Sequence, residues 1–184
     1  MYVESAYMYY IAIVCPGELD QKIDLYKHWM KDHFGCQVAL KSPAHITLIA
    51  PFWLKQKRED EMVKAISTFS APVNKPKILL DGFSHFGRRV IFVAVKENPV
   101  LTELRKIVEQ YFIKLFGDII KKEIREFHPH ITIANRDLSP SVFVKSWKYF
   151  SDKIFTESFI ANDISLLKLT DGKWTVIATK EWSQ

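Results

Sequence analysis

The sequence predicts an α+β fold with a largely antiparallel sheet. Short apolar strands are interspersed with amphipathic helical stripes along the chain, and several of the strands are joined by short turns. A strand-like segment also occurs twice, beginning at His45 and at His130, about half of the 184-residue chain apart. These observations favour an antiparallel α+β protein over a doubly wound parallel sheet.

The composition is that of a globular protein, with 48% hydrophobic residues and 26 Lys+Arg against 21 Asp+Glu, a net charge of +5. This length suits one domain, or two small lobes that share a core. No apolar run approaches the roughly 18 residues that a membrane span needs, so we expect no membrane partner. The two cysteines are too few for a disulfide framework or a thiolate metal cage, which favours a reduced, cytoplasmic setting. The charge permits an anionic partner without identifying one.

The first half of the chain predicts two strands and two helices. Residues 7–14 form an apolar and aromatic run closed by Pro16-Gly17, which indicates a buried strand. An amphipathic helix is indicated by the spacing of four, three and four residues between Leu19, Ile23, Tyr26 and Met30. Residues 45–52 are a second apolar strand, and 62–69 carry the stripe of a short helix.

The middle of the chain predicts a hairpin followed by the clearest helix. Residues 77–86 and 90–95 are two strand-like runs separated by a turn at 87–89. Residues 101–115 keep one face apolar, and Gly117 follows where a C-cap glycine belongs.

The last third predicts strands around one helix. Residues 130–134 are a short apolar strand, and Ser139-Pro140 supplies an N-cap and a first-turn proline for a helix. The runs 158–169 and 174–180 are predicted as two strands around the turn Asp171-Gly172. No low-complexity linker divides the chain, so we expect residues 1–184 to form a single domain.

The repeated segment is a His-Ile-Thr-aliphatic core with a proline one or two residues before it. Its copies are His45-Ile46-Thr47-Leu48 and His130-Ile131-Thr132-Ile133. Two such tetrads would arise by chance in roughly a few sequences in a thousand. Because alternate residues of a strand share a face, each copy predicts one apolar face and one face that offers an imidazole and a hydroxyl.

Two imidazoles and two hydroxyls in one groove suit phosphate-ester chemistry without a metal. An imidazole takes or gives a proton near neutral pH, so a neutral one activates a nucleophile while a protonated one donates to the leaving oxygen. The hydroxyls hydrogen-bond the non-bridging phosphate oxygens. The non-catalytic alternative is that the histidines have a structural role and that the threonines are present because they favour strands.

The paired tetrads resemble the His-x-Thr/Ser-x motifs of the two-histidine (2H) phosphoesterases, and most closely the branch of bacterial 2′-5′ RNA ligase-like proteins and 2′,3′-cyclic phosphodiesterases. The proline before the second motif, the first apolar strand and the hairpin at 83–95 also fit that family. The resemblance implies two pseudo-symmetric lobes around a central groove. It also implies metal-independent opening of a 2′,3′-cyclic phosphate, or cleavage or ligation of a 2′-5′ ribose phosphodiester, with no cofactor.

The resemblance further implies roles for the motif residues. His45 and His130 are the catalytic pair, and Thr47 and Thr132 bind the phosphate. In ring opening the analogy makes His130 the base and His45 the acid, although the sequence itself does not fix those roles.

Other side chains are candidates for contacts with the rest of a substrate. Arg136 and Arg88 could reach further phosphates, with solvated turn charges as the alternative. Phe52 and Phe86 could stack on a base, with core packing as the alternative. The expected partner is an RNA end or a small nucleotide phosphodiester, bound by a monomer that needs no protein partner.

Two other functions compete with the enzyme hypothesis. The excess of basic over acidic residues and the aromatic content are compatible with an RNA-binding module that has little catalytic activity. His128 and His130 with His85 could instead hold a metal in a hydrolase, but no further ligand pattern supports that hypothesis.

Overall fold

A computed structural model describes residues 5–181, which form two four-stranded sheets and four α-helices. The strands are β1 (Ala6–Val14), β2 (His45–Lys55), β3 (Lys77–Phe86), β4 (Val90–Val95), β5 (His130–Ala134), β6 (Thr156–Ile160), β7 (Asp163–Thr170) and β8 (Lys173–Glu181). The helices are α1 (Gly17–Phe34), α2 (Glu59–Thr68), α3 (Pro99–Phe116) and α4 (Pro140–Phe150). Short 3₁₀ turns lie at Val38–Lys41 and Gln56–Arg58.

Each sheet places one of the two repeated segments on an edge strand. The first sheet has the order β2-β1-β7-β8 and the second has the order β5-β4-β3-β6. Every strand pairing is antiparallel, which confirms the α+β prediction. The edge strands β2 and β5 contact each other, so the two His-Ile-Thr segments meet where the sheets adjoin.

The two lobes repeat one local arrangement. In the first, β1 leads into α1 and the chain returns antiparallel beside β1 as β2. In the second, β4 leads into α3 and the chain returns antiparallel beside β4 as β5. Both connecting helices have 18 residues. The sequence repeat therefore corresponds to a repeated strand–helix–strand unit.

One apolar core lies behind both edge strands. Ile46 of β2 and Ile131 of β5 are fully buried in the same cluster, together with residues from α1 and α3 such as Ile23 and Leu104. A smaller buried group covers the opposite face of the first sheet and includes Tyr10. We call the face of each sheet that carries the repeated His and Thr its inner face.

Most of the predicted elements form, and some have different boundaries. The β3–β4 hairpin lies where the sequence predicts it, and Ser139 caps α4 by accepting a hydrogen bond from the Val142 amide at 3.3 Å. The predicted strand 158–169 is wrong: the chain breaks after Ile160 and resumes at Asp163, and the two parts belong to different sheets.

Gly117 ends α3 as predicted, but in the right-handed helical conformation with φ −65°. The reason for a glycine is a close approach, because a Cβ at this position would lie 2.7 Å from the Ile113 carbonyl oxygen. Gly35 is the left-handed C-cap, with φ 72° at the end of α1.

Within residues 5–181, none of the helices combines the length and the apolar character that a membrane crossing requires.

Candidate active site

The two repeated segments present their histidines and threonines in the same way. His45 and Thr47 are partly exposed on the inner face of β2, whereas Ile46 and Leu48 point into the core. His130 and Thr132 are partly exposed on β5, with Ile131 and Ile133 buried behind them. This alternation confirms the predicted division of each strand into an apolar and a polar face.

Each histidine is held by the backbone carbonyl two residues before it. His45 Nδ1 lies 2.7 Å from the Pro43 oxygen, and His130 Nδ1 lies 2.8 Å from the His128 oxygen. Because a carbonyl oxygen only accepts hydrogen bonds, Nδ1 carries the proton in both rings. In the neutral imidazoles Nε2 is therefore unprotonated and free to accept a proton.

The surroundings of His45 include a polar cluster. The Tyr10 ring packs on the imidazole with centroids 4.7 Å apart, and its hydroxyl lies 3.4 Å from His45 Nδ1. The Ser42 hydroxyl is 3.3 Å from the same nitrogen and hydrogen-bonds the Tyr10 hydroxyl. Behind this group, the Lys27 ammonium donates to the Ser42 carbonyl oxygen at 3.0 Å.

The surroundings of His130 are aromatic. Phe86 meets the imidazole edge-to-face with centroids 4.9 Å apart, and Phe92 is 5.1 Å away. Phe92 pairs with Thr132 across β4 and β5, so these rings lie on the inner face of the second sheet. Phe86 is 40% exposed and offers free ring surface beside His130.

Both histidines are harder to protonate than a free imidazole. Burial lowers the pKa of His45 from 6.5 to about 4; the Pro43 hydrogen bond opposes this, and the positive charges of Lys27 and His130 add to it. Burial also lowers the pKa of His130, against its hydrogen bond to His128. A positive charge on His130 also disfavours protonation of His45, as expected for histidines on contacting strands.

A cleft of about 810 Å³ opens beside Thr47 and His130, and His45 and Thr132 are not among the residues that line it. Thr47 and His130 line one part of it, and the ion pair of Arg105 and Glu109 lines another. The remaining lining comes from 48–52 of β2, from Phe86 and from the loop 119–129. This volume falls in the range of small-molecule sites.

The other predicted substrate contacts lie in different settings. Phe86 lines the cleft, whereas Phe52 is only 7% exposed and stacks on Tyr9 with centroids 6.1 Å apart, although it also borders the cleft. Arg88 is exposed in the β3–β4 turn, and Arg136 is exposed after β5. Neither arginine is among the residues that line this cleft.

The hypothetical metal site of three histidines does not form. His85 packs against Phe143 and Trp147 of α4, with centroids 5.0 and 4.7 Å away. Its neighbour Phe86 points to the opposite face and contacts His130. The strand alternation thus separates His85 from His130, and no group of three His, Cys, Asp or Glu suited to a metal occurs in the described part of the chain.

Sequence reasoning missed three residues of the site. Tyr10 and Lys27 support His45 as described above, and Trp174 of β8 meets the Tyr10 ring edge-to-face with centroids 4.6 Å apart. The sequence signal for Tyr10 is its place in the strand that precedes the first helix. The sequence signal for Lys27 is its spacing, four residues after Ile23 and three before Met30, which places it on the buried face of α1.

Comparison with known proteins is consistent with this geometry. A family model described as the 2′-5′ RNA ligase superfamily matches residues 16–173. A protein of Geobacillus sp. (strain WCH70) named "Putative phosphoesterase GWCH70_0799" is 27% identical over 140 residues, which are 74% of this chain and 77% of that protein.

Solved structures share the fold over nearly the whole chain. The crystal structure of E. coli LigT complexed with 3′-AMP superposes with a TM-score of 0.66 and 19% identity, covering 98% of this chain and 100% of that one. The crystal structure of TT0787 of Thermus thermophilus gives a TM-score of 0.62 and 17% identity, covering 94% and 96%. The family match and the paired His-Ile-Thr strands lead to one conclusion: the chain belongs to the 2′-5′ RNA ligase superfamily of two-histidine phosphoesterases.

Proposed function

We propose that the protein is a metal-independent phosphodiesterase that opens 2′,3′-cyclic phosphates or cleaves, and in reverse joins, 2′-5′ ribose phosphodiesters. The observation that carries the proposal is the matched pair of imidazoles on adjoining edge strands, each with Nδ1 hydrogen-bonded to a carbonyl and Nε2 free. Such a pair supplies one proton acceptor and one proton donor without a metal.

The proposed reaction on a cyclic phosphate consumes one water molecule. A neutral imidazole accepts a proton from the water as its oxygen attacks phosphorus, and the bond to one ribose oxygen breaks. The other imidazole, protonated, donates to that leaving oxygen, which becomes a hydroxyl on a phosphomonoester product. Thr47 and Thr132 donate hydrogen bonds to the non-bridging oxygens and stabilise the charge that develops there.

The proposed substrate is an RNA end or a small nucleotide. Solved relatives with this fold include E. coli LigT complexed with 3′-AMP, with ATP and with NADP+. In this chain, the cleft beside Thr47 and His130 has room for a nucleotide, and Phe86 and Trp174 offer aromatic rings on the two sides of the histidine pair. Both catalytic strands come from one chain, so we propose a monomeric enzyme, acting in the cytoplasm.

The test is a screen for hydrolysis in EDTA with 2′,3′-cyclic, 3′,5′-cyclic and 2′-5′-linked substrates, with the product regiochemistry read out by NMR or chromatography. We expect turnover of the first or third class that is lost in the double variant His45→Gln/His130→Gln. Undiminished turnover in the double variant, or activity that appears only on addition of a metal, would overturn the proposal.

The second candidate is an RNA-binding module with little catalysis, which the net charge of +5 favours. It predicts salt-sensitive binding of RNA that survives replacement of both histidines, without turnover of any substrate in the screen. Hydrolysis in EDTA that depends on the histidines excludes this alternative.

A further inference from the structure

The inner face of the first sheet continues beyond the motif residues. On β1, Ala12 pairs with Thr47 of β2, and Met8 pairs with Trp53 of the same strand. Because alternate residues of a strand share a face, Met8 and Ala12 project from one side of β1, and Trp53 therefore lies on the same face as Thr47. Four residues of β1 separate the two pairs, which places the Trp53 row roughly 13 Å from the Thr47 row.

Trp53 is the most exposed tryptophan in the described part of the chain. It is 62% exposed, whereas its neighbours Phe52 and Leu54 are buried in the core on the other side of β2. Trp29, in contrast, stacks on Tyr149 with centroids 3.7 Å apart. A single exposed apolar side chain needs no special explanation, but one that extends an aromatic surface beside a functional site indicates a binding surface.

A run of aromatic rings connects His45 to the row of Trp53. The Tyr10 ring packs on His45, and the Trp174 ring meets Tyr10 with centroids 4.6 Å apart. The registers of β1 with β7 and of β7 with β8 place Trp174 in the same row as Met8 and Trp53. The two tryptophans therefore lie on either side of one row of the inner face, at the end away from the histidine.

The opposite end of the same face is acidic. Asp163 pairs with Glu181, and the strand registers place this pair of carboxylates in the row of His45. Burial raises the pKa of Asp163, and the charge of Glu181 adds to the shift, as expected for neighbouring carboxylates. At the other end, Lys55 lies one residue beyond Trp53 pair on β2. A phosphate chain that starts at the histidines is repelled by the carboxylates, so it should run toward the tryptophans.

We propose that Trp53 and Trp174 form a stacking platform for the bases of a single-stranded RNA whose 3′ end, a 2′,3′-cyclic phosphate, lies at the histidine pair. The proposal rests on the proposed phosphodiesterase function and narrows its substrate from any small nucleotide to an RNA end. Thr47 lines the cleft beside His130 and shares the face of the platform, so a terminal nucleotide in the cleft is continuous with preceding nucleotides on the platform. Indole rings stack on every base, so binding should depend on chain length more than on base sequence.

Binding to the full chain tests the platform without any turnover. The probes are a fluorescently labelled RNA tetranucleotide with a 3′-phosphate, followed by anisotropy, and a nucleoside 3′-monophosphate as competitor. We expect the tetranucleotide to bind at least roughly tenfold more tightly than the mononucleotide, and Trp53→Ala to weaken tetranucleotide binding by roughly tenfold. Leu25→Ala removes an apolar side chain from a residue of α1 that is 71% exposed, and this matched control should bind like the wild type.

Removing a base from the RNA separates stacking from a structural effect of the substitution. In the wild type, one abasic position of the tetranucleotide should cost as much affinity as Trp53→Ala does, and in Trp53→Ala the same abasic position should cost nothing further. Trp53→Phe keeps a ring and should retain most of the affinity. Unchanged binding in Trp53→Ala, or losses that add at every abasic position, would overturn the proposal. A dimer in sedimentation that Trp53→Ala dissociates would also overturn it, because a second copy would then cover the platform.

The length dependence of kcat/KM then connects the platform to the reaction. With RNAs of one to four nucleotides that end in a 2′,3′-cyclic phosphate, kcat/KM of the wild type in EDTA should rise with length, and Trp53→Ala should flatten the rise. Equal kcat/KM at all lengths in the wild type would overturn the proposed preference for an RNA end. If no substrate is turned over, the phosphodiesterase proposal fails, whereas the binding measurements still decide whether the platform binds RNA.

Discussion

The two motif strands are alike in their backbones and differ in what surrounds them. Both present His and Thr from an edge strand, both bury the intervening isoleucine, and both hold Nδ1 with the carbonyl two residues earlier. His45 lies against a tyrosine, a serine and a buried lysine, whereas His130 lies against two phenylalanines. Duplication of a strand thus reproduces the orientation and tautomer of a histidine, while the neighbouring helix and strands set its affinity for protons.

The largest expected effect comes from removing either imidazole. His45→Gln and His130→Gln should each lower kcat by roughly 10²- to 10⁴-fold, because each removes one of the two proton-transfer groups. Thermal unfolding of both variants checks that the fold is retained. A variant that keeps a third of the wild-type turnover would show that the two strands are not functionally equivalent partners.

A smaller loss is expected when the hydroxyls are removed. Thr47→Val and Thr132→Val keep the shape and strand preference of the side chain but cannot donate to a phosphate oxygen, so kcat should fall by on the order of 10²-fold. Steady-state kinetics on the substrate found in the screen measure this. Full activity in both variants would mean that the threonines serve only the strands.

The aromatic neighbours should affect substrate binding more than chemistry. Phe86→Leu on the His130 side and Trp174→Leu on the His45 side should raise KM by roughly tenfold on whichever side the base stacks, with kcat nearly unchanged. Comparing the two variants shows on which side of the histidine pair the base lies. Leu115→Ala, a variant at an exposed residue of α3, is the matched control and should leave KM unchanged.

The smallest effect concerns stability. An unfolded histidine titrates near 6.5, while His45 in the folded chain titrates near 4, so between these values the unfolded state binds more protons. The free energy of unfolding should therefore decrease as the pH falls from 6.5 to 4, by up to about 3 kcal/mol. Urea unfolding at several pH values measures this. His45→Gln should flatten the dependence, and a slope equal to that of the wild type would contradict the lowered pKa of His45.

The sequence predicts the catalytic strands well because the signal is local. The period-two alternation in 45–48 and 130–133 reports directly which side chains share a face. The break between β6 and β7 is missed because the only turn-favouring residues there are Asn162 and Asp163, without the glycine or proline that marks a turn most strongly.

The support of the site depends on tertiary packing and is not visible in the sequence. Lys27 lies at the spacing of the buried residues Ile23 and Met30 of α1, but only the packing of that helix shows which carbonyl its ammonium reaches. Arg88 and Arg136 lie close in sequence to site residues, but both are exposed and neither lines the cleft. Sequence proximity to a motif therefore does not by itself place a cation in the lining of the cleft.

Because β2 and β5 pack on one shared core, the proposed catalytic groups come together only where the two lobes meet. Each lobe contributes one proton-transfer group and one hydroxyl, and Ile46 and Ile131 hold the two strands against a single apolar interior. Neither half of the chain contains a complete site. A small displacement of one lobe relative to the other should therefore abolish turnover while the secondary structure persists. An activity assay thus detects a change in the packing of the two lobes more sensitively than a measurement of secondary structure does.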